Sequence, residues 1–109
     1  MKQLFDLREW PDAKAVEVEG DVEGIASSII LCRTSDGYTA YLNVCPHAGR
    51  RLDWAPGQFL MTPESLLVCA AHGASFELGN GECVAGPCRG ETLLNVPIRV
   101  EGDFVYLEE

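Results

Sequence analysis

Apolar and polar residues alternate along much of the chain with a period of two, the spacing of a strand with one wet face. Residues 14–19 alternate in this way and meet Gly20, which predicts a strand over 14–19. Further strands are predicted over 28–34 and 38–44, joined by Ser35-Asp36-Gly37, because Asp-Gly between two apolar runs is a hairpin signal. Residues 59–61 and 66–68 flank Thr62-Pro63-Glu64-Ser65, where Pro63 suits the second position of a type I turn. Residues 93–100 and 104–107 flank Glu101-Gly102-Asp103 and predict a third hairpin. Only 6–10 offers a helical turn, and Pro11 stops it. Eleven glycines and six prolines punctuate the chain at short intervals, and no long helix, linker or low-complexity run is visible. The pattern predicts an all-β fold, a sandwich or barrel-like domain.

Composition narrows the function. At 109 residues the chain is expected to form one domain with a single modest core. Lys and Arg number 8 against 17 Asp and Glu, a formal charge of −9. A hydrophobic fraction of 47% excludes a disordered acidic tail. The acidity argues against nucleic acid and against anionic membrane surfaces as partners, and favours protein partners with basic patches. An acid at Asp6 interrupts the start of the chain before an apolar targeting segment can form, and no apolar run is long enough to span a membrane. Five cysteines, an odd number, fit reduced thiols better than a disulfide framework, which points to the cytoplasm.

Two short boxes carry the chemistry. The first is Cys45-Pro46-His47-Ala48-Gly49 and the second is Cys69-Ala70-Ala71-His72-Gly73. They contain both histidines of the protein, and each follows an apolar run, ending at Val44 or Val68. Two loops leaving two strands can meet at one end of a β domain and bring together two thiolates and two imidazoles. Thiolates are negative, soft donors and imidazoles are neutral ones, so a centre with two of each has an electron-rich and an electron-poor side. Glycine after each histidine leaves room for backbone N–H groups to approach inorganic sulfide. Cysteines must lose protons to act as ligands, so assembly is favoured as pH rises through the thiol range.

The spacing C-x-H, 21 residues, C-x-x-H resembles the Rieske iron–sulfur domain. The run His72-Gly73-Ala74-Ser75-Phe76-Glu77 is similar to the segment that follows the second box in that family. Gly86-Pro87 resembles its proline loop over the cluster, and 97–107 its closing hairpin. The resemblance covers the whole chain. It implies an antiparallel β-sandwich with a small cluster-binding subdomain near 45–89, and one [2Fe–2S] cluster. It also implies Cys45 and Cys69 on the inner iron and His47 and His72 on the outer iron, near the surface. The implied role is a soluble, ferredoxin-like electron carrier between a reductase and an oxygenase or other redox enzyme. It is not an enzyme by itself, and a monomer is expected.

Two other classes stay open at this point. One is an accessory small subunit of a reductase, such as assimilatory NADH–nitrite reductase, which shares the fold. The other is a binding module held by a structural Cys2His2 zinc site, against which stands the missing helix. Cys32 ends an apolar run and reads as a buried core thiol. Cys83 and Cys88 flank Gly86-Pro87 and read as packed thiols or as a redox-sensitive pair. Arg50, Arg51 and Arg89 fall near the proposed cluster end and read as solvated surface or as a less acidic docking tip. Trp54 reads as a shield over the cluster or as a core residue, and the core is expected.

The departures from the Rieske proteins of respiratory cytochrome bc complexes have a consequence for the potential. Those proteins carry an extra, disulfide-forming cysteine in each box, where this chain has Arg50 and Ala71. They also carry a serine and a tyrosine that donate to sulfur, where this chain has Ala74 and Phe76. Fewer donors stabilise the more negative, reduced cluster less. Protein-film voltammetry is expected to give a midpoint near the low end of the Rieske range, roughly −150 mV rather than +300 mV. A value well above zero contradicts this reasoning.

Overall fold

The computed structural model describes residues 2–46, 49–70 and 73–108. It is all-β, with no α-helix among the described residues. Among the described residues ten strands form three antiparallel sheets. The first has the order β1-β10-β9, from Lys2–Asp6, Phe104–Leu107 and Ile98–Glu101. The second has the order β2-β3-β4, from Ala15–Val22, Ile25–Thr34 and Gly37–Leu42. The third is small, with the order β5-β6-β7-β8, from Leu60–Met61, Leu67–Val68, Ser75–Phe76 and Cys83–Ala85.

The run Ile29-Ile30-Leu31-Cys32 explains how the three sheets fit together. All four residues are completely buried, so the middle of β3 is dry on both faces. Ile29 and Leu31 share a core with Val18, Ala40, Val96, Val105 and Leu107, which packs the second sheet on the first. Ile30 and Cys32 point the other way. They share a core with Tyr41, Leu52, Leu67, Phe76 and the cysteines Cys45, Cys69, Cys83 and Cys88. The alternation of one strand therefore assigns one face to the sandwich and the other to the loops that carry the two boxes. The Tyr41 hydroxyl and the Thr39 Oγ1 both donate to the Leu78 carbonyl oxygen at 2.7 Å, tying β4 to the segment beyond β7.

Several sequence-based boundaries shift. The strand predicted over 14–19 does not stop at Gly20. It runs to Val22 and pairs with Ile25 across Glu23-Gly24, where both residues have positive φ. That is a two-residue turn of the primed kind, whose twist suits a hairpin. Glutamate at its first position gave no warning of it. The strand predicted over 93–100 is regular only over Ile98–Glu101. Residues 94–96 instead follow β4 loosely, through Leu42 N–H to the Leu94 carbonyl at 2.9 Å and Val96 N–H to the Ala40 carbonyl at 2.8 Å. β1, β7 and β8 were not predicted; β7 and β8 are too short to show a period. The predicted helical turn is a 3-10 turn over Leu7–Glu9, capped by the Asp6 carboxylate on the Arg8 N–H at 3.0 Å. The hairpins at Ser35-Asp36, 62–65 and 102–103 lie where they were expected.

Candidate metal centre

Cys45 and Cys69 begin two loops that close in the same way. Cys45 N–H donates to the Arg50 carbonyl at 2.7 Å, and Gly49 N–H returns to the Cys45 carbonyl at 2.8 Å. In the second loop Cys69 N–H donates to the Ala74 carbonyl at 2.7 Å, and Gly73 N–H returns to the Cys69 carbonyl at 2.9 Å. In each case the partner residues lie five and four positions on. Gly49 has φ 66° and Gly73 has φ 75°, values that a side chain makes costly. The glycine two positions after the first histidine and the one directly after the second are thus required by the loop closure itself. Ala70 N–H reaches the Leu52 carbonyl at 3.1 Å and joins the second loop to the segment after the first.

Both cysteines are completely buried in one core cluster, at equivalent positions of the matched loops. His47 and His72 lie outside the described residues. Among the described residues no three metal-ligating side chains gather. The donor set nonetheless fits a [2Fe–2S] group on its chemistry. Two thiols lie in a water-free interior, each in a loop whose next potential ligand is an imidazole two or three residues on.

A third loop presses on the second. A Cβ built on Gly86 would lie 2.7 Å from the Ala74 Cα, so only glycine allows the Gly86-Pro87 turn to pack there. Ala74 and Phe76 are completely buried, and the hydroxyl between them, Ser75 Oγ, donates to the Gly73 carbonyl at 3.4 Å. Cys83 and Cys88, on either side of this turn, are buried thiols with their sulfurs 3.2 Å apart. Burial, then the neighbouring Cys83 and Cys45 thiols, push the Cys88 thiol up to about 12. Burial pushes Cys32 up to about 12 as well, as expected of an inert core thiol.

A polar network that sequence reasoning missed anchors the first loop. Arg51 donates to Asp53 through Nε at 3.0 Å and Nη2 at 2.8 Å, and to Glu17 Oε2 of β2 at 2.6 Å. Glu17 also accepts from Ser28 Oγ at 2.6 Å. Asn43 completes the set: its Nδ2 donates to Ser28 Oγ at 3.1 Å and its Oδ1 accepts the Leu52 N–H at 2.8 Å. Arg51 is therefore committed to the body of the protein, and its charge is matched twice over. Arg50 and Arg89 remain exposed. Trp54 was expected in the core but is 60% exposed, because the turn 55–58 carries it outward.

A comparison with family models matches the Rieske [2Fe-2S] domain over residues 6–99. The chain belongs to that family. Membership implies one Rieske-type [2Fe–2S] cluster, which makes this an electron-transfer Rieske protein. Among solved structures, the terminal oxygenase of carbazole 1,9a-dioxygenase from Novosphingobium sp. KA1 is 22% identical with a TM-score of 0.77. That likeness covers 96% of this chain and 28% of the oxygenase. The ferredoxin of carbazole 1,9a-dioxygenase from Nocardioides aromaticivorans IC177 is 23% identical with a TM-score of 0.72, over 96% of this chain and 93% of that one. A ferredoxin of Sphingomonas yanoikuyae B1 is 19% identical with a TM-score of 0.72, over 98% and 96%. These likenesses establish the fold. The sequence matches no curated protein. No helix among the described residues is long and apolar enough to cross a membrane.

The network makes a pH-dependent prediction. Burial raises the Asp53 carboxyl, but hydrogen bonds from Arg51, the Gly57 N–H and Asn43 outweigh it and hold the group below its usual range. A depressed carboxyl stabilises the fold above the unfolded value of about 3.9 and loses that contribution as pH falls through the folded value. Asp53→Asn is expected to cost about 1–3 kcal/mol at pH 7. Thermal melts at pH 7 and in the acid range should show a smaller acid-induced fall in Tm for the variant than for the parent. An equal fall in both removes Asp53 from the account.

Proposed function

We propose that this protein is a diffusible one-electron carrier, with Cys45 and Cys69 on one iron of its cluster and His47 and His72 on the other. The observation that carries the proposal is the matched closure of the two loops, which sets both cysteine sulfurs in one dry core. The cluster supplies one reversible electron, and the chain's own residues set its surroundings. Cys45 and Cys69 give negative charge to the buried side. Neutral imidazoles at 47 and 72 would leave the other side electron-poor, where an added electron would be favoured. Gly86-Pro87 covers the second loop against Ala74.

Residues 45–89 form the cluster-binding unit of a single domain spanning 1–109. The electron donor is a reductase and the acceptor an oxygenase or another redox enzyme. The likeness along nearly the whole chain to a ferredoxin of carbazole 1,9a-dioxygenase supports this pairing. Arg50 and Arg89 make the cluster end less acidic than the body, and exposed Trp54 adds an apolar contact for a docked partner. The carrier works as a monomer in the cytoplasm, a setting that suits the reduced thiols at Cys32, Cys45, Cys83 and Cys88.

The decisive preparation is the purified protein itself. It should be red-brown, and reduction with dithionite should develop a Rieske-type EPR signal. A colourless protein with stoichiometric zinc sinks the proposal. His47→Ala and His72→Ala should each abolish the signal. His72→Cys, which keeps a donor in place, should keep visible colour but move the EPR signal towards the all-cysteine type. An unchanged Rieske signal in any of the three refutes the ligand assignment.

A further inference from the structure

The cluster account leaves Cys83 and Cys88 unused, yet their sulfurs are in contact. Cys88 Sγ–H donates to Cys83 Sγ at 3.2 Å, and Cys83 Sγ–H donates to the Ala85 carbonyl at 3.1 Å. The backbone holds this arrangement from both ends. Gly90 N–H donates to the Cys83 carbonyl at 3.1 Å, Cys83 N–H to the Glu91 carbonyl at 2.8 Å, and Glu91 N–H to the Cys88 carbonyl at 2.9 Å. The pair lies in the same buried cluster as Cys45. Of these three cysteines only Cys45 is assigned to iron. Cys32 sits beside Thr39 and shares no such contact.

We propose that Cys83 and Cys88 are a reversible modification site, a dithiol that a low-molecular-weight disulfide converts to an intramolecular disulfide. The S–S bond of the small disulfide breaks, the Cys83–Cys88 S–S bond forms, and the two thiol protons leave with the two electrons on two small thiols. A disulfide brings its sulfurs to about 2.05 Å, so the pair closes by roughly 1 Å. Side-chain rotation about a turn already closed by backbone hydrogen bonds supplies this. Both thiols are buried, but Gly86, Pro87, Arg89 and Gly90 around them are exposed. The Arg89 N–H to Gly86 carbonyl bond across the turn is long, at 3.3 Å. Exchange therefore runs slowly, through opening of this turn.

The bridge has two consequences. It cross-links the base of the turn whose Gly86 lies against Ala74 of the second box. It also turns two S–H groups into one disulfide inside the buried cluster that the pair shares with Cys45. Where Cys45 is a cluster ligand, as the proposed function has it, two fewer S–H dipoles in the core around it stabilise the reduced cluster less and lower the potential. The pair then couples the thiol–disulfide state of its surroundings to the readiness of the carrier to accept an electron.

The test uses the intact cluster-loaded protein. It is incubated anaerobically with oxidised glutathione, quenched in acid, alkylated with N-ethylmaleimide and weighed by intact mass spectrometry. Untreated protein should carry five maleimides, one for each cysteine. Treated protein should carry three and weigh two hydrogens less before alkylation, with the bridge mapped to the peptide containing residues 83–88. Cys83→Ser should lose no hydrogens on treatment. Five maleimides after treatment, glutathione adducts without a bridge, or a hydrogen loss that survives in Cys83→Ser each overturn the modification site. Voltammetry reads the second consequence: treatment should lower the midpoint of the parent and leave that of Cys83→Ser unmoved. A bridge that forms without moving the midpoint overturns the coupling. Absence of a Rieske signal before any treatment counts against the proposed function and leaves the mass result to decide the dithiol.

Discussion

The Cys45 and Cys69 thiols can lie in a dry interior only because each begins a loop that satisfies its own backbone there. The Cys45 N–H and carbonyl are both used within its loop, and so are those of Cys69. A buried backbone group without a partner would cost about as much as a lost hydrogen bond, and two loops crossing one core would multiply that cost. The repeated closure removes it. It also fixes glycine at positions 49 and 73 and brings each chain back on itself within six residues. The boxes are thus backbone motifs first and ligand motifs second. Their resemblance to one another is the shared geometry of a loop that must bury a thiol at its start.

The rest of the fold holds these loops in register. The middle of β3 is dry on both faces, so the sandwich and the loop core are built on opposite sides of one strand and cannot shift independently. The charged network at the edge does for the first loop what the core does for the second. Asp53 is buried to 1% side-chain exposure and would be costly alone, but Arg51 answers it and is held in turn by Glu17 of β2. Leu52 lies between these charges and the cysteine core. Its N–H is taken by Asn43 and its carbonyl by Ala70, so one residue links the body and both loops.

Much of this was legible in the sequence, and what was not has physical reasons. Alternation and turn chemistry located the 35–36, 62–65 and 102–103 hairpins because those signals are local. The continuous apolar run at 29–32 signalled burial but not that two separate cores share it, since periodicity says nothing of what lies opposite. The strands Ser75–Phe76 and Cys83–Ala85 escaped notice because two or three residues carry no period, and their pairing is settled by the loops between them. Cys45 and Cys69 stood out through spacing. The Asn43–Asp53–Arg51–Glu17 network did not, because its members lie up to 36 positions apart and each looks like an ordinary surface residue. Trp54 went wrong for the reverse reason: a large apolar residue suggests the core, but its turn points outward.

The acidity of the chain takes on a different meaning in this light. With the proposed ligands, two thiolates and an oxidised [2Fe–2S] core would cancel, leaving the formal charge of −9 to the body, with Arg50 and Arg89 exposed. The central claim is that the matched loops hold two irons between them, with sulfur ligands on one and nitrogen ligands on the other. Crystals of the brown protein, measured on both sides of the iron absorption edge, test it directly. The account predicts two neighbouring iron peaks, one against the Cys45 and Cys69 sulfurs and the other against His47 and His72. A single peak that follows the zinc edge, or an iron pair held by four sulfurs including Cys83 and Cys88, would contradict it.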